Sequence, residues 1–141
     1  MHILCFMPRN MRFGPSNATS IDLCVHDLIL ASRYREETRI LCCENETLFP
    51  GLHISTYPPS IDRRKAKKIK FALAQARSNS ADVIVVQQHL PTAAGVARRS
   101  PMPVILHKHN MTKPIPPTGF FNRVRRSWRI RQHNALRGSC S

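Results

Sequence analysis

The sequence predicts an α/β fold built on a doubly wound parallel sheet, and residues 81–110 give the clearest support. Residues 83–86 and 104–106 are apolar runs without polar alternation, the pattern of strands that are covered on both faces. The connection between the runs is too long for a hairpin and long enough for a helical crossover. It contains small residues behind Pro91, which favours a short helix there. This stretch is therefore predicted to be strand, helix, strand.

The other elements are predicted in order from the amino terminus. Residues 2–7 form a first apolar strand, and the helix that follows is expected to begin at a cap residue. The candidate caps are Ser16, Asn17 and Thr19, and the expected apolar face of this helix is Ile21, Cys24, Val25, Leu28 and Ile29. Further strands are expected at 39–43 and 52–56, and further helices at 62–78 and 120–136.

Length and cysteine content indicate one domain in a reducing compartment. A chain of 141 residues can bury a single core. Its five cysteines are odd in number and mostly fall inside predicted strands or helix faces, which favours buried thiols over disulfides. No run approaches the roughly 18 apolar residues of a membrane span, and Pro8 comes too early for a signal peptide. We therefore expect a cytoplasmic protein.

Positive charge is concentrated in the second half of the chain. Residues 1–62 carry 5 Lys+Arg against 7 Asp+Glu, whereas residues 63–141 carry 17 against Asp82 alone. The second half is expected to meet nucleic acid, acidic lipid head groups or nucleotide diphosphates. Its first helix, residues 62–78, is basic and amphipathic, and its expected apolar face is Ala66, Ile69, Leu73 and Ala76. Such a helix suits an anionic membrane surface as well as a solvated outer face. The residues expected to contact anions are Arg63, Arg64, Lys67 and Lys68.

Polar clusters follow the two runs of residues 81–110. Gln87, Gln88 and His89 end the first run, and residues 107–110 end the second. In open α/β sheets, ligands bind just beyond the carboxyl ends of the strands. The clusters are therefore expected at a ligand site, with a solvated loop as the alternative.

The turn after the first strand is a weaker candidate for phosphate contact. Gly14 would allow close approach of the backbone, and the amino terminus of the next helix would favour an anion. A lone glycine is not a dinucleotide-binding fingerprint, so an ordinary loop glycine is the alternative.

Metal and hydrolase chemistry are disfavoured. His107 and His109 can share one face of a strand end, but they have no carboxylate or cysteine nearby in sequence to complete a site. The chain has no G-x-S-x-G motif, and Asp82 is the only acid after Asp62. We expect no metal and no resident cofactor.

Three segments together resemble a known enzyme family. They are DVIVVQQHLPTAAGVA, PMPVILHKHN and NRVRRSWRIRQ, in this order after an amino-terminal strand and a small-residue turn. They are similar to the amino-terminal domain of family-four-like retaining glycosyltransferases of the GT-B fold. The resemblance covers residues 1–133 and implies a Rossmann-like acceptor domain, half of a GT-B architecture. Residues 134–141 depart from the family pattern and are expected to be an irregular tail.

The resemblance also implies roles for individual residues. His109 corresponds to a histidine that points into the cleft near the transferred sugar, and it is the expected catalytic residue. Gly14 corresponds to a first-loop glycine against the donor phosphates, and Gln88 and His89 to part of the acceptor pocket. The expected substrate-binding residues are Gly14, Ser16, Asn17, Gln88, His89, Lys108 and Asn110. The family generally needs no metal, and its donor is a nucleotide sugar.

The expected function is the acceptor side of sugar transfer to a glycan or lipid-linked acceptor, and the expected location is the cytoplasm at the inner face of the membrane. The nucleotide sugar would be held by a second, carboxy-terminal domain that this sequence lacks, so we expect a truncated or split enzyme with little transfer by this chain alone. A small basic nucleic-acid-binding protein is the alternative, although only Trp128 stands among the arginines of the last helix. A nucleotide-binding domain without catalytic activity is the third hypothesis.

Overall fold

Five parallel strands form one sheet in the computed structural model, which describes residues 1–8, 11–110 and 120–138, with side chains from residue 127 onward in the last range. The strands are β1 (Ile3–Phe6), β2 (Thr38–Cys43), β3 (His53–Tyr57), β4 (Val83–Gln87) and β5 (Val104–His107). Their spatial order is β3-β2-β1-β4-β5, and every neighbouring pair is parallel. The predicted α/β fold with a doubly wound parallel sheet is confirmed as a single Rossmann-like domain.

The described residues contain five α-helices, which lie between the strands or after the last of them. They are α1 (Ser20–Leu30), α2 (Pro59–Asp62), α3 (Lys65–Ser78), α4 (Leu90–Ala97) and α5 (Phe120–Gly138), and a 3-10 turn at Pro15–Asn17 precedes α1. The last helix continues two residues beyond the predicted end at Leu136, and residues 134–138 are all helical. The expectation of an irregular tail is therefore wrong for these five residues, and residues 139–141 lie outside the described part of the chain.

Each face of the sheet has its own apolar core. On one face, Leu4, Phe6, Leu41, Ile84 and Val86 of the strands pack against α3 and α4, with Leu136 of α5 at the margin. On the other face, Cys5, Met7, Ile40 and Cys42 pack against Val25 and Ile29 of α1. Alternating residues of one strand thus enter opposite cores, which is why the central strands β1 and β4 contain almost no polar residues.

The start of α1 follows from a local cap. Thr19, one of the three predicted caps, accepts a hydrogen bond from the Asp22 backbone, while the Asp22 side chain accepts one from the Thr19 backbone. This reciprocal pair satisfies two amide donors that a helix start leaves without partners. Asp22 becomes fully buried as a result.

Two predicted apolar faces are partly wrong. On α1, Leu28 and Cys24 are exposed, and Asp22 takes a buried position beside Val25 and Ile29. On α3, Ala66 is exposed and Lys68 is buried together with Ile69, Leu73 and Ala76. In both helices a polar side chain occupies the inner face because it finds a partner there.

Among the helices of the described residues, none combines the length and the apolar character that crossing a membrane requires.

Candidate functional site

The two polar clusters predicted from residues 81–110 meet at the carboxyl edge of the sheet. Gln87 is paired in register with His107, and the Gln88 backbone N–H donates to His107 O at 2.7 Å. Gln88 has a φ of 57°, in the left-handed region that costs a residue with a side chain about 1–2 kcal/mol. The bend that follows turns the chain sharply at the end of β4.

His109 is held by both glutamines. Its backbone N–H donates to Gln88 Oε1 at 2.9 Å, and its Nε2 lies 3.0 Å from Gln87 Oε1. The two contacts bind the loop after β5 to the end of β4. The predicted catalytic residue thus lies at the carboxyl edge, where an open α/β sheet binds its ligands. It lies beside the ends of β4 and β5, next to the boundary between β1 and β4 at which strand order reverses.

The surroundings of His109 favour the neutral imidazole. Burial and the neighbouring His107 lower its pKa from the ordinary value of 6.5. The two rings lie 4.4 Å apart between centroids, so a charge on both would be repulsive. At neutral pH His109 is therefore uncharged and has one ring nitrogen that donates and one that accepts.

Gln87 connects His109 to the core. This side chain is only 3% exposed, and its Nε2 donates to Cys5 Sγ at 3.2 Å. Burial raises the pKa of the Cys5 thiol to about 11, so Cys5 is protonated at neutral pH and is not an activated nucleophile. Burial likewise raises the pKa of Cys42, a buried cysteine of β2, to about 12, so this thiol is also protonated at neutral pH.

Predicted binding residues near His109 occupy different positions. His89 precedes α4, and its Nδ1 lies 2.7 Å from Thr92 Oγ1 in the first turn of that helix. Lys108 is half-buried and Asn110 is exposed. Of the predicted residues, Gln88 and His109 are joined directly by a hydrogen bond, whereas His89 is turned towards α4.

The first loop is filled by the chain itself. A Cβ atom at Gly14 would lie 1.8 Å from Thr47 O, and Ser16 Oγ lies 2.6 Å from Thr47 Oγ1. Close approach at Gly14 thus serves packing between two loops. Ser16 and Asn17 lie in the 3-10 turn and do not cap α1, and the Asp22 carboxylate lies at its amino terminus. The carboxylate disfavours a second anion at the start of α1. Phosphate contact at Gly14 itself stays a prediction.

The basic helix has one buried member. Arg63, Arg64 and Lys67 are exposed as expected, but Lys68 is 5% exposed and its Nζ donates to Asp62 Oδ1 at 2.9 Å and to Asp62 O at 2.6 Å. A lysine in this position cannot contact a membrane or another anion. The expectation for Lys68 is therefore wrong, because Asp62 provides its counter-charge inside the protein.

Tyr57 belongs to the same buried network, which the sequence did not reveal. Its hydroxyl lies 3.0 Å from Asp62 Oδ1 and 3.3 Å from the backbone oxygen of Met7, the residue after β1. Burial and the Asp62 carboxylate raise the pKa of Tyr57, so its hydroxyl remains a donor. The one available sign was Asp62, an isolated acid in front of a run of basic residues.

Two cavities open at opposite edges of the sheet, and neither is lined by the residues of these clusters. A cavity of about 320 Å³ opens at the carboxyl edge of β2, and one of about 220 Å³ opens at the opposite, amino-terminal edge. The first is lined by Arg12, Glu44, Asn45, Glu46 and Pro59. Within the described ranges, no three His, Cys, Asp or Glu side chains are grouped so that they could hold a metal ion.

Comparison with known proteins returned no matching family model, no matching curated protein and no matching solved structure.

Proposed function

We propose that this chain is the acceptor-side domain of a retaining glycosyltransferase, which binds a glycan or a lipid-linked acceptor at the carboxyl edge of β4 and β5. The observation that carries the proposal is the attachment of His109 to Gln87 and Gln88 at the carboxyl ends of β4 and β5. The segments that resemble this family include all three residues. The fold is of the class that the proposal requires, but proteins with Rossmann-like sheets perform many different chemistries, so the proposal depends on the site.

The chemistry of the cluster suits a ligand rich in hydroxyl groups. Amide side chains and a neutral imidazole offer hydrogen-bond donors and acceptors without a net charge. A sugar can use both, because each of its hydroxyls donates and accepts. His109 would therefore contact a hydroxyl by hydrogen bonding and not form a covalent intermediate.

The donor would be bound elsewhere. In the family that the sequence resembles, a second Rossmann-like domain holds the nucleotide sugar, and positive side chains and helix amino termini stabilise the leaving diphosphate. The Asp22 carboxylate already occupies the amino terminus of α1, which supports a donor phosphate bound away from this helix start. Transfer would then require a donor-binding domain together with this chain.

The proposed location is the cytoplasmic face of a membrane. Arg63, Arg64 and Lys67 are exposed at the start of α3, and Trp128 and Ile130 of α5 are each about half exposed. Basic side chains attract anionic lipids, and an indole ring is favourable at the level of the head groups. Such contact would bring the site near a lipid-linked acceptor.

A nucleic-acid-binding function is the second candidate because of one electrostatic feature. Burial and two neighbouring cations, Arg98 and Arg99, lower the pKa of Lys65. A group of positive charges of this kind attracts phosphates of any source. Salt-dependent binding to random duplex would support this alternative.

The test of the acceptor site is sugar binding followed by amide chemical-shift changes. Neutral hexoses and disaccharides, added at millimolar concentration, should shift the amides of Gln87, Gln88 and His109. His109→Ala should weaken binding about fivefold to tenfold, which is the range for one lost hydrogen bond.

His53→Ala is the matched control, because His53 is half exposed and lies at the opposite edge of the sheet. It should leave sugar affinity unchanged. Shifts that cluster around His53, or no shifts with any sugar, would contradict the proposal.

A further inference from the structure

We infer that Gln87 is a positioning residue that sets the tautomer of His109, so that Nδ1 of His109 is the atom that accepts a hydrogen bond from a ligand hydroxyl. The ligand part of this inference rests on the proposed function, whereas the tautomer part is a property of the free protein. Neither part assigns Gln87 a direct contact with the ligand.

The argument begins at Cys5. The Nε2 group of Gln87 donates to Cys5 Sγ at 3.2 Å, so the Gln87 amide presents its other atom, Oε1, towards His109. An amide oxygen only accepts hydrogen bonds. The contact of 3.0 Å between Gln87 Oε1 and His109 Nε2 is therefore satisfied only when Nε2 carries the hydrogen.

The second step concerns the protonation state. Because burial and His107 lower the pKa of His109, the ring holds one hydrogen at neutral pH. With that hydrogen on Nε2, the Nδ1 lone pair is an acceptor. A hydroxyl group that donates to Nδ1 would then complete the ring's hydrogen bonds.

The third step is the rigidity of this arrangement. Gln87 is the last residue of β4, is 3% exposed, and is paired with β5 at His107. The backbone of His109 is separately held by Gln88 Oε1. A side chain fixed at its backbone and at one ring nitrogen presents the other nitrogen in a defined direction, which reduces the entropy lost on binding.

The inference is tested by nitrogen-15 and proton NMR of the histidine rings above pH 6.5, with His109→Ala used for assignment. The full chain should show a slowly exchanging Nε2–H of His109, because its acceptor is buried. Gln87→Leu should lose this slow exchange, since leucine has no acceptor. Gln87→Glu should keep it, because a carboxylate oxygen can replace the amide oxygen.

Sugar titrations of the same proteins test the ligand part. Gln87→Leu should weaken hexose binding about fivefold, and Gln87→Glu should restore it to within about twofold of the unmodified chain. Circular dichroism confirms that each variant is folded. The tautomer of His109 in the unmodified protein is measured without any substitution, so a folding defect in a variant cannot affect it.

Several results would overturn the inference. A hydrogen on Nδ1 in the unmodified protein would show the opposite tautomer, and a slow Nε2–H that persists in Gln87→Leu would remove Gln87 from its role. Equal hexose affinity of the unmodified protein and Gln87→Leu would refute the ligand part. Absence of hexose binding in every protein would refute the proposed function, while the NMR result would still decide the tautomer.

Discussion

At Gly14 the backbone lies so close to the loop at residues 45–47 that a side chain has no space. A Cβ atom there would be 1.8 Å from Thr47 O and 2.9 Å from Asn45 Nδ2. The backbone of Gly14 is extended, so its φ does not require glycine. The requirement at this position is therefore steric, and the contacting atom is a backbone oxygen that cannot rotate away.

We expect Gly14→Ala to lower the free energy of unfolding by about 1–3 kcal/mol, as overpacking does. Urea denaturation followed by circular dichroism measures this. Gly138→Ala is the matched control, since a Cβ at Gly138 meets nothing within 4 Å and alanine favours a helix by up to about 1 kcal/mol. Unchanged stability of Gly14→Ala would show that the two loops can separate freely.

At the scale of the element, α3 is anchored by a buried ion pair instead of a purely apolar face. The side chains of Lys68 and Asp62 are 6% and 11% exposed. The Tyr57 hydroxyl donates a hydrogen bond to the same oxygen of the Asp62 carboxylate, Oδ1. This network joins α3 and the short helix α2 to the last residue of β3. Removing one ion would leave the other buried without its partner.

Lys68→Met should therefore lower the free energy of unfolding by about 3–5 kcal/mol, the range for a broken buried pair. Lys67→Met, which changes the exposed neighbour, should stay within about 0.5 kcal/mol of the unmodified protein. The double variant Asp62→Leu with Lys68→Met should recover most of the loss, because no charge is left buried. A small effect of Lys68→Met alone would mean that its ammonium group reaches water after little rearrangement.

At the scale of the whole molecule, charge is divided between the two halves of the sequence. The formal net charge is +14, and all but one of the acids precede residue 63. The exposed cations Arg63, Arg64 and Lys67 therefore have few acids near them in sequence. Such a surface attracts anions over a Debye length, about 8 Å at physiological salt.

The chain should cosediment with vesicles that contain phosphatidylglycerol and not with pure phosphatidylcholine. Replacing Arg63, Arg64 and Lys67 together by glutamine should weaken this binding about 100-fold, at about 1 kcal/mol for each charge. Arg33→Gln, just beyond α1 on the opposite face, should change it less than about twofold. Binding to random duplex at physiological salt without vesicle binding would favour the nucleic-acid alternative.

Local sequence patterns were enough to predict the five strands. For β1, β4 and β5 the pattern was an apolar run without alternation, which is characteristic of a strand between two helix layers. They also predicted that the polar ends of β4 and β5 would lie together, since parallel strands end at one edge. Four of the helices were predicted to within a few residues, whereas the short helix α2 was not predicted. The predicted inner faces of α1 and α3 were not fully correct.

What only the tertiary structure decided was which polar side chain finds a partner. Gln87 meets Cys5 across 82 positions of sequence, Tyr57 meets Met7 across 50, and Gly14 meets the loop that contains Thr47. Periodicity describes the environment of each residue within its own element and contains no information on these distant contacts. Apolar burial depends on that local pattern, whereas a buried hydrogen bond depends on the position of two particular atoms, which the folded chain alone determines.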